Sequence, residues 1–156
     1  MSEDRRVVLV GAGALGSHVL MLGRNWPVRW TIVDFDRVEQ KNLASQLHTR
    51  MGLGRNKAQA LQQLVNGLWG LRVDAVPHKL VEDNAETLLA GADLVLDCVD
   101  NAPTRALIAR VVRARATPCL HGAVAADGGY ARVMWDPVFT PDEAGEGAAT
   151  CEGGEH

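Results

Sequence analysis

The chain has only three cysteines among its 156 residues, Cys98, Cys119 and Cys151, and no two stand in C-x-x-C spacing. That argues against a disulfide framework and a four-thiolate zinc site, so no structural zinc is expected. The five histidines are scattered, without an H-x-x-x-H pair, and offer no transition-metal ligand set. No apolar run approaches the ~20 residues needed to cross a bilayer, and the first six residues carry no signal-peptide pattern. No membrane association and a cytoplasmic location are therefore expected. A strong positive charge is missing too. The net charge is −3, and residues 136–156 hold six of the 19 acids with no Lys or Arg, leaving 16 basic against 13 acidic groups before them. So small an excess does not predict a nucleic-acid partner, but it suits a phosphate-rich small molecule.

What is present is ordinary in bulk and specific in detail. A hydrophobic content of 47% with 22% charged residues fits one globular domain, large enough to bury about 70% of its unfolded surface. Val7-Val8-Leu9-Val10 reads as a strand buried on both faces. Gly11-Ala12-Gly13-Ala14-Leu15-Gly16 follows at once in G-x-G-x-x-G spacing, and an apolar helical pattern (Leu15, Val19, Leu22) comes next. In such a turn Gly11 permits the bend, Gly13 lets a phosphate approach the backbone, and Gly16 lets the helix pack closely on the strand. The helix N-terminus then favours an anion.

Trp30 to Val33 predicts a second strand, ending at Asp34-Phe35-Asp36. Asp34 stands where a nucleotide-binding βαβ unit places the acid that bonds ribose hydroxyls; a turn aspartate is the competing reading. Residues 37–46 predict a short helix, and residues 47–54 an irregular loop. A helix from about Asn56 to Trp69 presents Ala58, Leu61, Leu64, Val65 and Leu68 on one face. Lys57 lies in its first turn, where a cation opposes the dipole. As a solvated lysine or as a phosphate ligand, it fits the sequence equally well. Val73 to Leu80 predicts a strand near a sheet edge because Pro77 interrupts it, and Asn84 to Ala90 a short helix.

Ala92 to Val99 is a further strong strand, leading into Asp100-Asn101-Ala102-Pro103, a helix start with polar caps and an early proline. That helix runs to about Ala116, burying Leu107, Val111 and Val112. Two strands follow, Pro118 to Ala126 and Gly129 to Trp135, around an Asp127-Gly128-Gly129 turn. The alternation predicts an α/β, Rossmann-like, mostly parallel sheet with helices on both faces. Gly11 to Gly16, Asp34 and Asp97 to Asp100 all fall at carboxyl ends of strands, where such sheets bind ligands. The expected division is a nucleotide-binding domain over 1–136 and an acidic Gly/Pro-rich loop or tail over 137–156.

With these pieces in place the chain resembles the ThiF/MoeB family, whose adenylation domain is shared with the ubiquitin-activating enzymes. The resemblance rests on Gly11 to Ser17, Val33 to Glu39, Asn42-Leu43-Ala44-Ser45-Gln46, Gly52 to Ala58, and Asp97 to Arg105. It implies ATP-dependent adenylation of the C-terminal carboxylate of a small ubiquitin-like or sulfur-carrier protein ending in Gly-Gly, in a homodimer. By the same resemblance Gly11, Gly13 and Gly16 line the phosphates, Asp34 holds the ribose with Asp36 close by, and Asn42, Gln46 and Lys57 face the phosphates. Asp100 would hold Mg²⁺. Asp97 is expected to be structural and Arg105 a packing or ion-pair residue.

Some features depart from the family pattern. Ser45 stands where members often carry Arg. The arginine that precedes the first strand has no clear counterpart, since Arg5 and Arg6 read as solvated charges. Cys151 matches a crossover-loop cysteine that in some members bonds the activated carrier; six nearby acids favour an unreactive thiol instead. Members continue beyond this loop, so a domain shortened at its C-terminus is expected, either naturally short or a fragment. An NAD-dependent oxidoreductase and a non-catalytic partner in a dimer are the competing readings.

Overall fold

The computed structural model describes residues 4–138, so Cys151 and most of the predicted tail lie outside the described residues. Six strands form one sheet: β1 (Arg6–Val10), β2 (Arg29–Val33), β3 (Val73–Val76), β4 (Leu94–Asp97), β5 (Cys119–Val124) and β6 (Ala131–Trp135). Their order is β3-β2-β1-β4-β5-β6. The first five are parallel and β6 runs antiparallel to β5. The predicted Rossmann-like sheet is therefore present.

Helices α1 (Ala14–Leu22), α2 (Lys57–Trp69), α3 (Glu82–Leu89) and α4 (Ala102–Arg115) cover both faces. The period-two alternation of β1 divides the core between them. Val7 and Leu9 pack with Leu20 of α1 and with Ala58, Leu61 and Val65 of α2. Val8 and Val10 pack with Ala85 and Leu89 of α3 and with Ile108, Val111 and Val112 of α4. With both faces covered, β1 has no solvent side, which is why its four residues from Val7 read as one unbroken aliphatic run.

Pro77 ends β3 after Val76, and β3 lies at a sheet edge as its proline predicts. The hairpin is also as expected: Gly128 takes φ +71° between β5 and β6. Several readings need correction. Residues 37–46 form no α-helix but a single 3-10 turn, Gln40–Asn42, in which Asn42 Oδ1 accepts from the Glu39 N–H at 2.8 Å. Leu68 faces solvent, near the end of α2, while Ala58, Leu61 and Val65 face the sheet. Ile108 rather than half-buried Leu107 is the fully buried leucine-sized residue of α4. Arg6 is no solvated charge: its guanidinium bonds Thr31 Oγ1 at 3.2 Å and the carbonyl oxygens of Ala90 and Leu88 at 2.7 and 3.3 Å, tying β1 to the end of α3. No helix among the described residues is long and apolar enough to cross a membrane.

Candidate nucleotide site

The strands end in register. Val10 pairs with Val33 on one side and with Asp97 on the other, so β1, β2 and β4 stop together. Gly11 then donates to Val33 O at 2.9 Å and Cys98 to Val10 O at 2.8 Å, closing that edge. The chain parts to opposite sides between β1 and β4, the switch point at which doubly wound sheets open a crevice. Here a cleft is lined by Gly11, Gly13, Leu15, Asp34, Phe35, Asp36, Ser45, Lys57, Asp100 and Asn101, and farther along by Gly122 to Ala126 and Gly128.

The glycines divide their work. Gly11 takes φ +99°, and a Cβ there would lie 2.6 Å from the Cys98 carbonyl oxygen. Gly16 does not line the cleft; it lies inside α1, where a Cβ would overlap the Gly11 carbonyl oxygen. Gly13 is the open one, with only the Gln46 amide near, 3.7 Å from an added Cβ. Two glycines hold helix against strand and the third leaves backbone accessible, as the motif predicts.

Residue 12 is anchored from both sides. Its N–H donates to Asp34 Oδ2 at 2.7 Å, and its carbonyl accepts from His48 Nε2 at 2.8 Å. Asp34 Oδ1 accepts in turn from the Asp36 N–H at 2.8 Å. Asp34 thus acts as a turn aspartate while still lining the cleft, since each carboxylate oxygen retains a second lone pair. Burial pushes its carboxyl above the ordinary 3.8; the Ala12 and Asp36 hydrogen bonds and nearby Lys57 oppose that rise, while Asp36 adds to it. Burial also lowers His48 below its ordinary 6.5.

Asn42 and Gln46 were expected to face the phosphates. Neither is among the residues that line the cleft: Asn42 caps its own 3-10 turn, and the Gln46 amide lies 3.7 Å from where a Gly13 Cβ would stand. Ser17 Oγ donates to Gly13 O at 2.6 Å and accepts from the Leu47 N–H at 2.9 Å. Gln46, Leu47 and His48 therefore clamp the glycine turn from one side. His48 and Ser17 drew no functional reading from the sequence, because a lone histidine in an irregular loop carries no spacing pattern.

Lys57 opens α2. Its backbone N–H donates to Asp36 O at 2.8 Å and Asn56 caps the helix through Gln59 N at 3.1 Å. Its side chain is 4% exposed and lines the cleft, and among the described residues no carboxylate lies within ion-pair distance. Across the cleft Asp100 precedes the α4 cap, where Asn101 accepts from Thr104 N at 2.9 Å. A shielded cation, an accessible glycine backbone, and the three carboxylates of Asp34, Asp36 and Asp100 share one crevice.

The model of the "ThiF family" matches residues 2–151. The chain belongs to that family. It is 39% identical over 136 residues to a "Sulfur carrier protein adenylyltransferase" of Thermus thermophilus, covering 85% of this chain and 50% of that protein. It is 37% identical over 122 residues to the "SAMP-activating enzyme E1" of Haloferax volcanii, covering 76% of this chain and 45% of the relative. Among solved structures, Escherichia coli tRNA N6-threonylcarbamoyladenosine dehydratase, TcdA, in complex with AMP superposes with a TM-score of 0.71 at 26% identity, covering 80% of this chain and 52% of that one. The chain spans about half the length of these relatives.

Proposed function

We propose that this ThiF-family chain binds ATP in the switch-point cleft and adenylates the C-terminal carboxylate of a small ubiquitin-like or sulfur-carrier protein. One observation carries the reading. Lys57 is 4% exposed and lines the same crevice as Gly13, near Asp34 but with no carboxylate of the described residues within ion-pair distance. Shielding a cation from water without a close ion pair is costly, and a phosphate beside it offsets that cost.

The reaction joins the carrier's carboxylate oxygen to the α-phosphorus and breaks the bond to the pyrophosphate oxygen. It needs no enzyme nucleophile, only alignment and relief of negative charge. The backbone at Gly11 and Gly13 would receive phosphate, Lys57 would neutralise it, and Asp34 with Asp36 would hold the ribose. Gln46 and Asn42 would act from behind, fixing the turn that meets the phosphates. Asp100 fits Mg²⁺, which takes one or two protein carboxylates and fills its other positions with phosphate oxygens and water. When bound, that ion draws charge from the departing pyrophosphate.

The far end of the cleft, lined by Gly122, Ala123, Ala125, Ala126 and Gly128, has room for an extended tail of small residues, which supports a carrier ending in Gly-Gly. A working homodimer in the cytoplasm, a nucleotide domain over 1–136 and a crossover-like segment over 137–156 with Cys151 belong to the same proposal. ATP–pyrophosphate exchange tests it. Exchange that requires a Gly-Gly carrier and Mg²⁺ is expected. A chain that co-purifies with a mate but exchanges nothing is a non-catalytic partner, and a larger thermal shift with NAD than with Mg²⁺ and ATP points to an oxidoreductase.

A further inference from the structure

Behind the Asp100 loop lies a buried polar network that the cleft chemistry does not use. His121 of β5 is 1% exposed, and both its ring nitrogens face carboxylates. Nδ1 lies 2.6 Å from Asp97 Oδ2, and Nε2 lies 2.8 Å from Asp136 Oδ1. Asp136, where β6 ends, accepts from Arg113 Nε at 2.9 Å through its other oxygen. At the opposite end Asp97 Oδ1 accepts from the Val99 N–H at 3.1 Å. Arg105, 3.6 Å from Asp97, donates to the carbonyl oxygen of Val99 and, at 2.8 Å, to that of Gly122. Val99 is thus gripped at both backbone polar groups, and the next residue is Asp100.

We propose that His121 is a positioning residue that acts through Asp97 and Val99 to hold Asp100 where it meets Mg²⁺ and ATP. This rests on the reading of Asp100 given above. The network is an expensive way to hold a fold: four ionisable side chains are taken out of water, and an apolar cluster of equal volume is often as stable. Its geometric product is the fixed Val99 peptide. Between that peptide and the Asn101 cap, the Asp100 backbone has little freedom left. Groups behind a metal-holding carboxylate commonly affect metal affinity or activity by about 10- to 100-fold.

The test uses His121→Gln and Asp136→Asn, each compared with the full chain by amide hydrogen exchange and by ATP titration with and without Mg²⁺. The Val99 amide depends on the network, whereas the neighbouring Cys98 amide is bonded to Val10 O and serves as the internal reference. In the variants the Val99 amide should exchange roughly tenfold faster or more with Cys98 unchanged. ATP affinity without Mg²⁺ should stay within about twofold, and the gain on adding Mg²⁺ should shrink about tenfold or more. Unchanged Val99 exchange in a folded variant overturns the proposal. So does equal acceleration at Cys98, or failure of both variants to fold, because the network is then only scaffold. If the unmodified chain binds no nucleotide, the reading of the cleft falls, while the Val99 amide still reports whether His121 holds this loop.

Discussion

Gly16 and Gly11 meet with no room for one more carbon: a Cβ on residue 16 would overlap the Gly11 carbonyl oxygen. The contact is backbone against backbone, so no side chain can swing aside. Gly16→Ala should therefore cost at least the ~1–3 kcal/mol of an ordinary overpacked core site, read as a lower urea midpoint. It should weaken ATP binding as well, because the helix start and the phosphate-facing turn move together. Gly13→Ala, where the added carbon meets only the Gln46 amide at ordinary contact distance, should leave the midpoint nearly unchanged and reduce ATP affinity alone.

Lys57 separates function from stability. Its side chain is buried with no carboxylate of the described residues within ion-pair distance, so Lys57→Met removes a desolvated charge and keeps the apolar stem. The variant should be as stable as the parent or more so. Pyrophosphate exchange should fall by about 10²–10³-fold, the usual effect of losing one group that stabilises developing charge. A variant that loses stability in step with activity would mark Lys57 as a structural residue.

His48 makes part of the fold sensitive to acid. Its pKa is lowered by burial, so the folded state holds the neutral ring that bonds Ala12 O. The unfolded chain takes up a proton near the ordinary 6.5, and the folded chain only at lower pH. Stability contributed by the neutral ring is present above about 6.5 and is lost as pH falls through the folded value. The stability difference between the parent and His48→Gln should shrink over that acidic interval. Urea unfolding at several pH values measures it, and a difference independent of pH would rule the effect out.

Asp34 has the opposite sign. Its raised carboxyl pKa means that the contribution is greatest below the ordinary 3.8 and is lost as pH climbs through the folded value. Asp34→Asn cannot titrate, so the parent should lose stability relative to it over that rise. The same unfolding series checks this, and parallel curves would contradict it.

Much of the frame was legible because it is local. The aliphatic run from Val7, the glycine spacing, the acid at residue 34 and the proline at residue 77 each act on their own neighbours, and all four appear where expected. The family resemblance assigned Lys57 and Asp100 to one site, and both line the cleft. The clamp of Ser17, Gln46 and His48 was hidden because it joins a helix to an irregular loop with no period. Asp97 was read as structural and Arg105 as an ion-pair residue, as found, but the network that joins them to His121 and Asp136 was hidden for another reason. Its members lie on four elements, and only the parallel pairing of β4 with β5, which sets Asp97 opposite His121, brings them together. The bond by which Asn42 caps its own turn was likewise hidden, because the family resemblance assigned that residue to the phosphates and the loop around it has no period.

The most direct measurement is a crystal structure of the chain with ATP and Mg²⁺. The triphosphate should lie along Gly11 and Gly13 with Lys57 Nζ on a phosphate oxygen, Asp100 on the Mg²⁺ shell, and the ribose beside Asp34. A nucleotide bound outside this cleft, or one inside it that leaves Lys57 and Asp100 without contact to the phosphates or the ion, would contradict the account.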